Sequence, residues 1–304
     1  VVFVSADIGL MFGAVRQGVL AGIAADPVLA AAYPPSHVML SATHTHSGPA
    51  GYSHYDAPNL LHLGFDQLVL DTIVDGIVQA IRRAHDNIEA HPQAANILLA
   101  DGELLNTNIN RSKPAFAMNS EDERRQFLNS RGEEVQVNKR FLQLSLVRGN
   151  GSAVGVINWF GVHPTTVGQA QTLVSSDNKG YASFLFEKLM KTDHDAPAGS
   201  DTFVAAFAQQ DEGDASPNIF IEEFPTPDPR RGGGKDDFES NAIAGTKQLA
   251  KALSLYRQGK PLTGPVDARL FHVAMDKVTV TDPVVLASLR HPAELDATVK
   301  RTCM

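Results

Sequence analysis

The chain has 304 residues, 26 of them basic and 34 acidic, for a net charge of −8. That length fits about two domains or one large α/β domain, and 43% hydrophobic with 20% charged residues supports a packed globular chain over a disordered one. The acidic balance leaves no electrostatic footprint for nucleic acid, no apolar run reaches the roughly 18 residues of a membrane helix, and the single Cys303 excludes an internal disulfide or a multi-cysteine metal site.

Residues 1–6 read as a buried strand, 10–24 as a helix and 37–42 as a strand. Over 67–84, apolar residues recur at Val69, Leu70, Ile73, Val74, Ile77, Val78 and Ile81, the spacing of a helix with one apolar face. Strands follow at 96–100, 141–147 and 154–162, then a helix at 181–190, a strand at 203–208 and a helix at 241–256. The pattern over 266–281 predicts one or two more strands. Residues 119–140 are dense in charge and read as a solvated loop or surface helix. Residues 225–237 form a Pro/Gly turn region, whose Gly232-Gly233-Gly234-Lys235 run lacks the frame of a phosphate loop. Alternating strands and helices predict an α/β fold: a mixed, partly parallel sheet flanked by helices, with a site at the carboxyl ends of strands. The chain opens strand-like, without Met or signal peptide, and stops at residues 301–304 without a terminating element, so both ends read as cut and a fragment is expected.

Four of the predicted strands run into polar residues: Ser5 and Asp7; Thr43-His44-Thr45-His46-Ser47; His163-Pro164; and Gln209 to Ser216. A packed core has no need of polar side chains repeatedly at one kind of position, whereas open α/β sheets bind ligands there. His44 and His46 share a face if the segment is extended, and neutral imidazole is the commonest metal ligand. With His163 at a matching strand end they form a candidate zinc site; the alternative is a pair of hydrogen-bonded loop histidines. Ser216, in a Gly-Asp-Ala-Ser-Pro-Asn turn, is a candidate nucleophile or oxyanion donor, or a serine that caps backbone. Arg111 is placed to hold an oxygen-rich group, or is an ordinary surface arginine. The 175–181 segment reads as the start of a helix capped by Asp177 or Asn178, a structural role. His54 and His62 fall in a loop rich in Tyr and His, and His37, His85, His91, His194, His272 and His291 read as surface or turn residues. There is no G-x-S-x-G and no H-E-x-x-H, so the common serine-hydrolase and metalloprotease readings fail.

Taken in order, VFVSADIG (2–9), VRQGVL (15–20), SATHTHSGPAGYSHY (41–55), VDGIVQAI (74–81), INRS (109–112), INWFGVHPTT (157–166), SSDNKGYAS (175–183), FVAAFAQ (203–209) and GDASPN (213–218) resemble the neutral/alkaline non-lysosomal ceramidase family. The resemblance covers most of 1–220 and weakens from 225 to 304. It implies a zinc-dependent amidohydrolase that cleaves the N-acyl bond of ceramide to sphingosine and a fatty acid. By motif position it implies His44 and His163 as zinc ligands and His46 beside the zinc, touching substrate. It implies Arg111 at the substrate head, and Ser216 as nucleophile or as partner of substrate and water. It further implies that residues 1–304 are an incomplete N-terminal catalytic domain, lacking two downstream zinc ligands (a Glu and a Tyr) and a C-terminal immunoglobulin-like domain. The implied protein is secreted or works at the outer face of membranes, touches a membrane surface or micelle, and takes no protein partner. Departures are the missing cysteines of animal members, which points to a bacterial type, Ala215 in place of the usual Val, and VNKR at 137–140. Other readings are a related metal-dependent hydrolase of another N-acyl lipid or sugar-linked substrate, an inactive lipid-binding remnant, and a metal-free serine hydrolase.

Overall fold

The computed structural model describes residues 1–281 except Leu61, Ala94, Gln169, Pro225 and Pro227. In chain order, β1 (Val2–Ala6) leads into α1 (Gly13–Ala25), α2 (Pro27–Ala32) and β2 (Val38–Ala42). Next come α3 (Asp56–Leu60), the long α4 (Gln67–Ala90), β3 (Ala95–Glu103), β4 (Ile109–Asn110), α5 (Lys113–Phe116) and α6 (Glu121–Arg124). The hairpin of β5 (Arg140–Arg148) and β6 (Ala153–Trp159) is followed by α7 (Asp177–Leu189), β7 (Val204–Ala208), β8 (Ala215–Ser216), α8 (Asp237–Leu255) and β9 (Lys260–Pro261). Residues 1–266 form one compact unit and 267–304 a second. In the second, described as far as 281, the ordered element is a 3-10 turn, Met275–Lys277. The strands predicted over 266–281 are therefore absent: strand propensity depends on context, and an apolar pattern alone does not make a strand.

The predicted mixed, partly parallel architecture is what forms. β1 and β2 pair in parallel, Val2 opposite Val38. A second sheet has the order β7-β6-β5-β3-β9, with β6 and β7 parallel and its other pairs antiparallel. A two-residue ribbon pairs β4 with β8 and sets Ile109 opposite Ser216.

Each main sheet has its own core. Around β1 and β2, the stripe Leu70, Ile77 and Ile81 of α4 packs with Val15, Val19 and Ile23 of α1. The helices approach closely because Gly18 and Gly22 face Val74 and Val78; a Cβ at either glycine would lie 2.6 Å from a valine methyl. α4 starts where Asp66 accepts hydrogen bonds from the Leu68 and Val69 amides, satisfying donors that the first turn leaves free. The five-stranded sheet buries Phe141, Phe160, Phe186 and Phe207 against α7 and α8. The two layers touch at Phe3 and Trp159, whose ring centroids lie 5.4 Å apart. His85, expected on the surface, lies on the buried stripe of α4, where its Nδ1 and the Tyr33 hydroxyl are 3.1 Å apart. Most of the 119–140 stretch is exposed as expected, but Lys139 is buried and donates to the Asn108 side chain at 2.7 Å. His291 and Cys303 lie outside the described residues.

Candidate metal centre

The segment after β2 is not extended. His44 takes a left-handed backbone, φ +72°, a conformation that costs a non-glycine residue about 1 kcal/mol or more. It is held there by its amide, which donates to Ile8 O at 3.0 Å. Its ring Nδ1 lies 2.7 Å from Gly9 O. His163 follows β6 and is buried; its amide donates to Ala215 O at 2.7 Å and its Nδ1 lies 2.9 Å from Glu212 O. A carbonyl oxygen only accepts, so in both rings Nδ1 carries a proton, and in the neutral imidazole Nε2 then presents the lone pair.

Those Nε2 atoms face the same point as that of His46, which lies 3.2 Å from His44 Nε2 and 3.0 Å from His163 Nε2. His44, His46 and His163 are the one group of His, Cys, Asp or Glu side chains among the described residues with convergent ligand atoms, all within 4.8 Å of one another. Desolvation, then His44, His163 and Arg111, push the His46 pKa down to about 4. Burial also lowers that of His163, against the opposing pull of its Glu212 O hydrogen bond. Both rings are therefore neutral near pH 7 and can donate lone pairs to a cation. The sequence anticipated that the three histidines share a site. It derived the meeting of His44 and His46 from an extended segment, whereas a left-handed residue brings it about.

The surrounding loops are tied to one another. The His46 amide donates to Pro164 O at 3.3 Å, the Thr45 hydroxyl to Ser175 O at 2.6 Å, and the Ser175 amide to Ser47 O at 2.9 Å. Asp177 does not cap α7 as expected; the Ser175 hydroxyl accepts from the Asp177 amide instead. The buried Asp177 carboxylate turns to the chain after His163. It accepts from the Thr166 hydroxyl, from the Val167 amide at 2.9 Å, and from the Asn178 amide at 2.7 Å. Asn178 in turn donates to His163 O at 3.2 Å. Asp177 and Asn178 thus brace the His163 turn, a role that local sequence does not reveal.

Arg111 and Ser216 come from the β4–β8 ribbon. The Arg111 amide donates to Asp214 O at 2.9 Å and its guanidinium to Gly213 O at 2.7 Å. The side chain is exposed and close enough for its charge to act on His46 and His163. Ser216 is buried, one residue beyond the carbonyl that holds the His163 amide. Its hydroxyl accepts from the Asn218 amide at 3.1 Å, the backbone-capping arrangement; among the described residues no side-chain base is bonded to it. His54 meets Phe65 in a tilted ring contact, centroids 5.7 Å apart, and is not among the convergent histidines.

A third element proves central. The Gln209 side-chain amide donates to Thr43 O at 2.8 Å and to Val162 O at 2.7 Å, joining the residues just before His44 and His163. Gln209 stands in a polar strand end, but its partners are backbone carbonyls, which carry no sequence signature.

Known proteins agree with this architecture. A family profile described as neutral/alkaline non-lysosomal ceramidase, N-terminal, matches residues 1–303. Neutral ceramidase B of Dictyostelium discoideum is 38% identical over 301 residues, covering 93% of this chain and 40% of its own length. Neutral ceramidase of Pseudomonas aeruginosa is 37% identical over 280 residues, covering 92% and 38%. A solved structure of a ceramidase complexed with C2 superposes with a TM-score of 0.68 at 38% identity, over 83% of this chain and 35% of that one. The chain thus spans about 40% of the length of the curated relatives it matches. With a family profile along nearly its whole length and this fold beneath it, the chain belongs to the neutral/alkaline non-lysosomal ceramidase family.

Proposed function

We propose that this chain is the N-terminal part of the catalytic domain of a zinc-dependent ceramidase, which hydrolyses the N-acyl bond of ceramide to sphingosine and a free fatty acid. The observation that carries the reading is the convergence of three Nε2 atoms, two of them on rings whose Nδ1 protons are held by backbone carbonyls. That is how protein metal sites orient histidine ligands.

The donor set fits zinc, a borderline ion that takes imidazole nitrogen. His44 and His163 would hold it, with the Glu and Tyr of the downstream segment completing the set. Bound there, zinc supplies Lewis acidity that polarises an amide carbonyl and makes water acidic near neutral pH. The protein's own groups do the rest. His46, neutral near pH 7, lies beside the two ligands and touches the substrate. Arg111, exposed at the rim, holds the hydroxyl-bearing head of the substrate. Ser216 helps bind or transfer the acyl group from the opposite strand of the ribbon.

A lipid substrate implies work at a membrane or micelle surface, on the secreted side. Leu63, exposed between α3 and α4, and Val174, exposed just before α7, suit such contact. No described helix is long and apolar enough to cross a membrane.

Substitution tests the ligand assignment. In the complete protein, H44A and H163A should each lose stoichiometric zinc, with activity falling by more than the roughly 10–100-fold that outer partners of a metal ligand contribute. Zinc content by atomic emission and ceramide hydrolysis measure this; full metal and full activity in both variants would refute the assignment.

A further inference from the structure

We propose that Gln209 is a positioning residue that sets the spacing between His44 and His163; the inference rests on the reading that these two histidines hold zinc. The ligands come from separate layers. His44 follows the β1–β2 pair and His163 follows β6 of the five-stranded sheet, and no strand pairing joins the two sheets among the described residues. The residue before each ligand, Thr43 and Val162, is buried. Its carbonyl is therefore one peptide away from a metal ligand and shielded from water.

Both carbonyls take their hydrogen bond from the same primary amide, Gln209 Nε2, at 2.8 and 2.7 Å. Gln209 Oε1 in turn accepts from the Val162 amide at 3.3 Å. A carboxamide carries two donors and an acceptor in one rigid plane, so a single group fixes both segments in one frame. The base of that group is itself anchored. Ala208, just before it, pairs with Trp159 across β6 and β7. The Ala208 carbonyl also accepts from the fully buried Lys179 Nζ at 3.0 Å. The amide is therefore a strut from the five-stranded sheet to the chain that carries His44. Metal sites require their donors to be placed to within a fraction of an ångström. A Met at 209 occupies similar volume but offers no donor, and leaves both carbonyls without the Gln209 amide.

The test uses the complete protein and zinc alone as ligand. Zinc affinity is measured by competition with a chromophoric chelator, ligand geometry by visible absorption of the cobalt(II)-substituted form, and stability by urea unfolding without metal. For Q209M the inference expects zinc affinity to fall about tenfold or more and the cobalt bands to shift. Q209N keeps the donors on a shorter stem and should fall between Q209M and wild type, and it carries the test if Q209M does not fold. Wild-type affinity and wild-type cobalt bands in the variants overturn the inference, even if unfolding shifts, because Gln209 then only stabilises the fold. Wild-type protein that fails to bind zinc defeats the underlying metal reading instead, a result the same titration separates from the first.

Discussion

At the scale of single residues, the groups at and around the site are oriented by backbone carbonyls. Lys179 is the extreme case. It is fully buried, donates to Phe160 O at 2.5 Å and Ala208 O at 3.0 Å, and among the described residues has no carboxylate hydrogen-bonded to it. Burial pushes its pKa down to about 7, with Glu212 pulling weakly the other way. Between pH 7 and the ordinary lysine value near 10.5, the unfolded chain binds a proton that the folded chain does not. Stability therefore rises with pH across that window, by at most about 1.4 kcal/mol per pH unit for this group. Urea unfolding at pH 7, 8 and 9 should show that rise, and K179M should flatten it. K179M should also be less stable throughout, because two buried carbonyls lose their donor. A slope identical in K179M and wild type would refute the assignment. The residues that hold such groups differ in how they show in sequence. His44, His46 and His163 are legible because histidines at strand ends serve no core. Gln209 and Asp177 are not, because most of what they bind is peptide backbone, which every residue type but proline supplies alike.

At the scale of elements, close approach matters as much as apolar burial. α8 crosses α7 at Gly245, where a Cβ would lie 2.8 Å from the Tyr181 ring and 3.0 Å from Asn178 O. G245A gains about 1 kcal/mol of helix propensity but forces the helices apart at the residue that supports His163. Overpacking of this kind costs about 1–3 kcal/mol, so we expect a net loss of about 1 kcal/mol in thermal unfolding; equal or higher stability would show that the contact yields. The long segments are legible from sequence: α4 and the strands β5, β6 and β7 stand close to where helical spacing and apolar runs place them. The β4–β8 ribbon was not, since two residues per strand are too few to show alternation. Yet that ribbon carries Ser216 opposite Ile109 and leads directly into Arg111. The expected strands at 266–281 show the converse, an apolar pattern that yields a 3-10 turn at Met275–Lys277 and no strand.

At the scale of the whole molecule, two sheets bring their strand ends together and the histidines meet at the junction. Only imidazoles converge there among the described residues, and the two proposed ligands, His44 and His163, leave a zinc ion short of the three protein ligands that catalytic sites use. The remaining donors would come from the part of the relatives that lies beyond the match, since this chain spans about 40% of their length. The decisive measurement is ceramide hydrolysis by the complete protein, before and after a strong chelator and after zinc is restored, beside residues 1–304 alone. The account predicts that activity resides in the complete protein, is lost on chelation and returns with zinc, and is weak or absent in residues 1–304. Activity that survives chelation with the metal fully removed would contradict it and place the chemistry on Ser216.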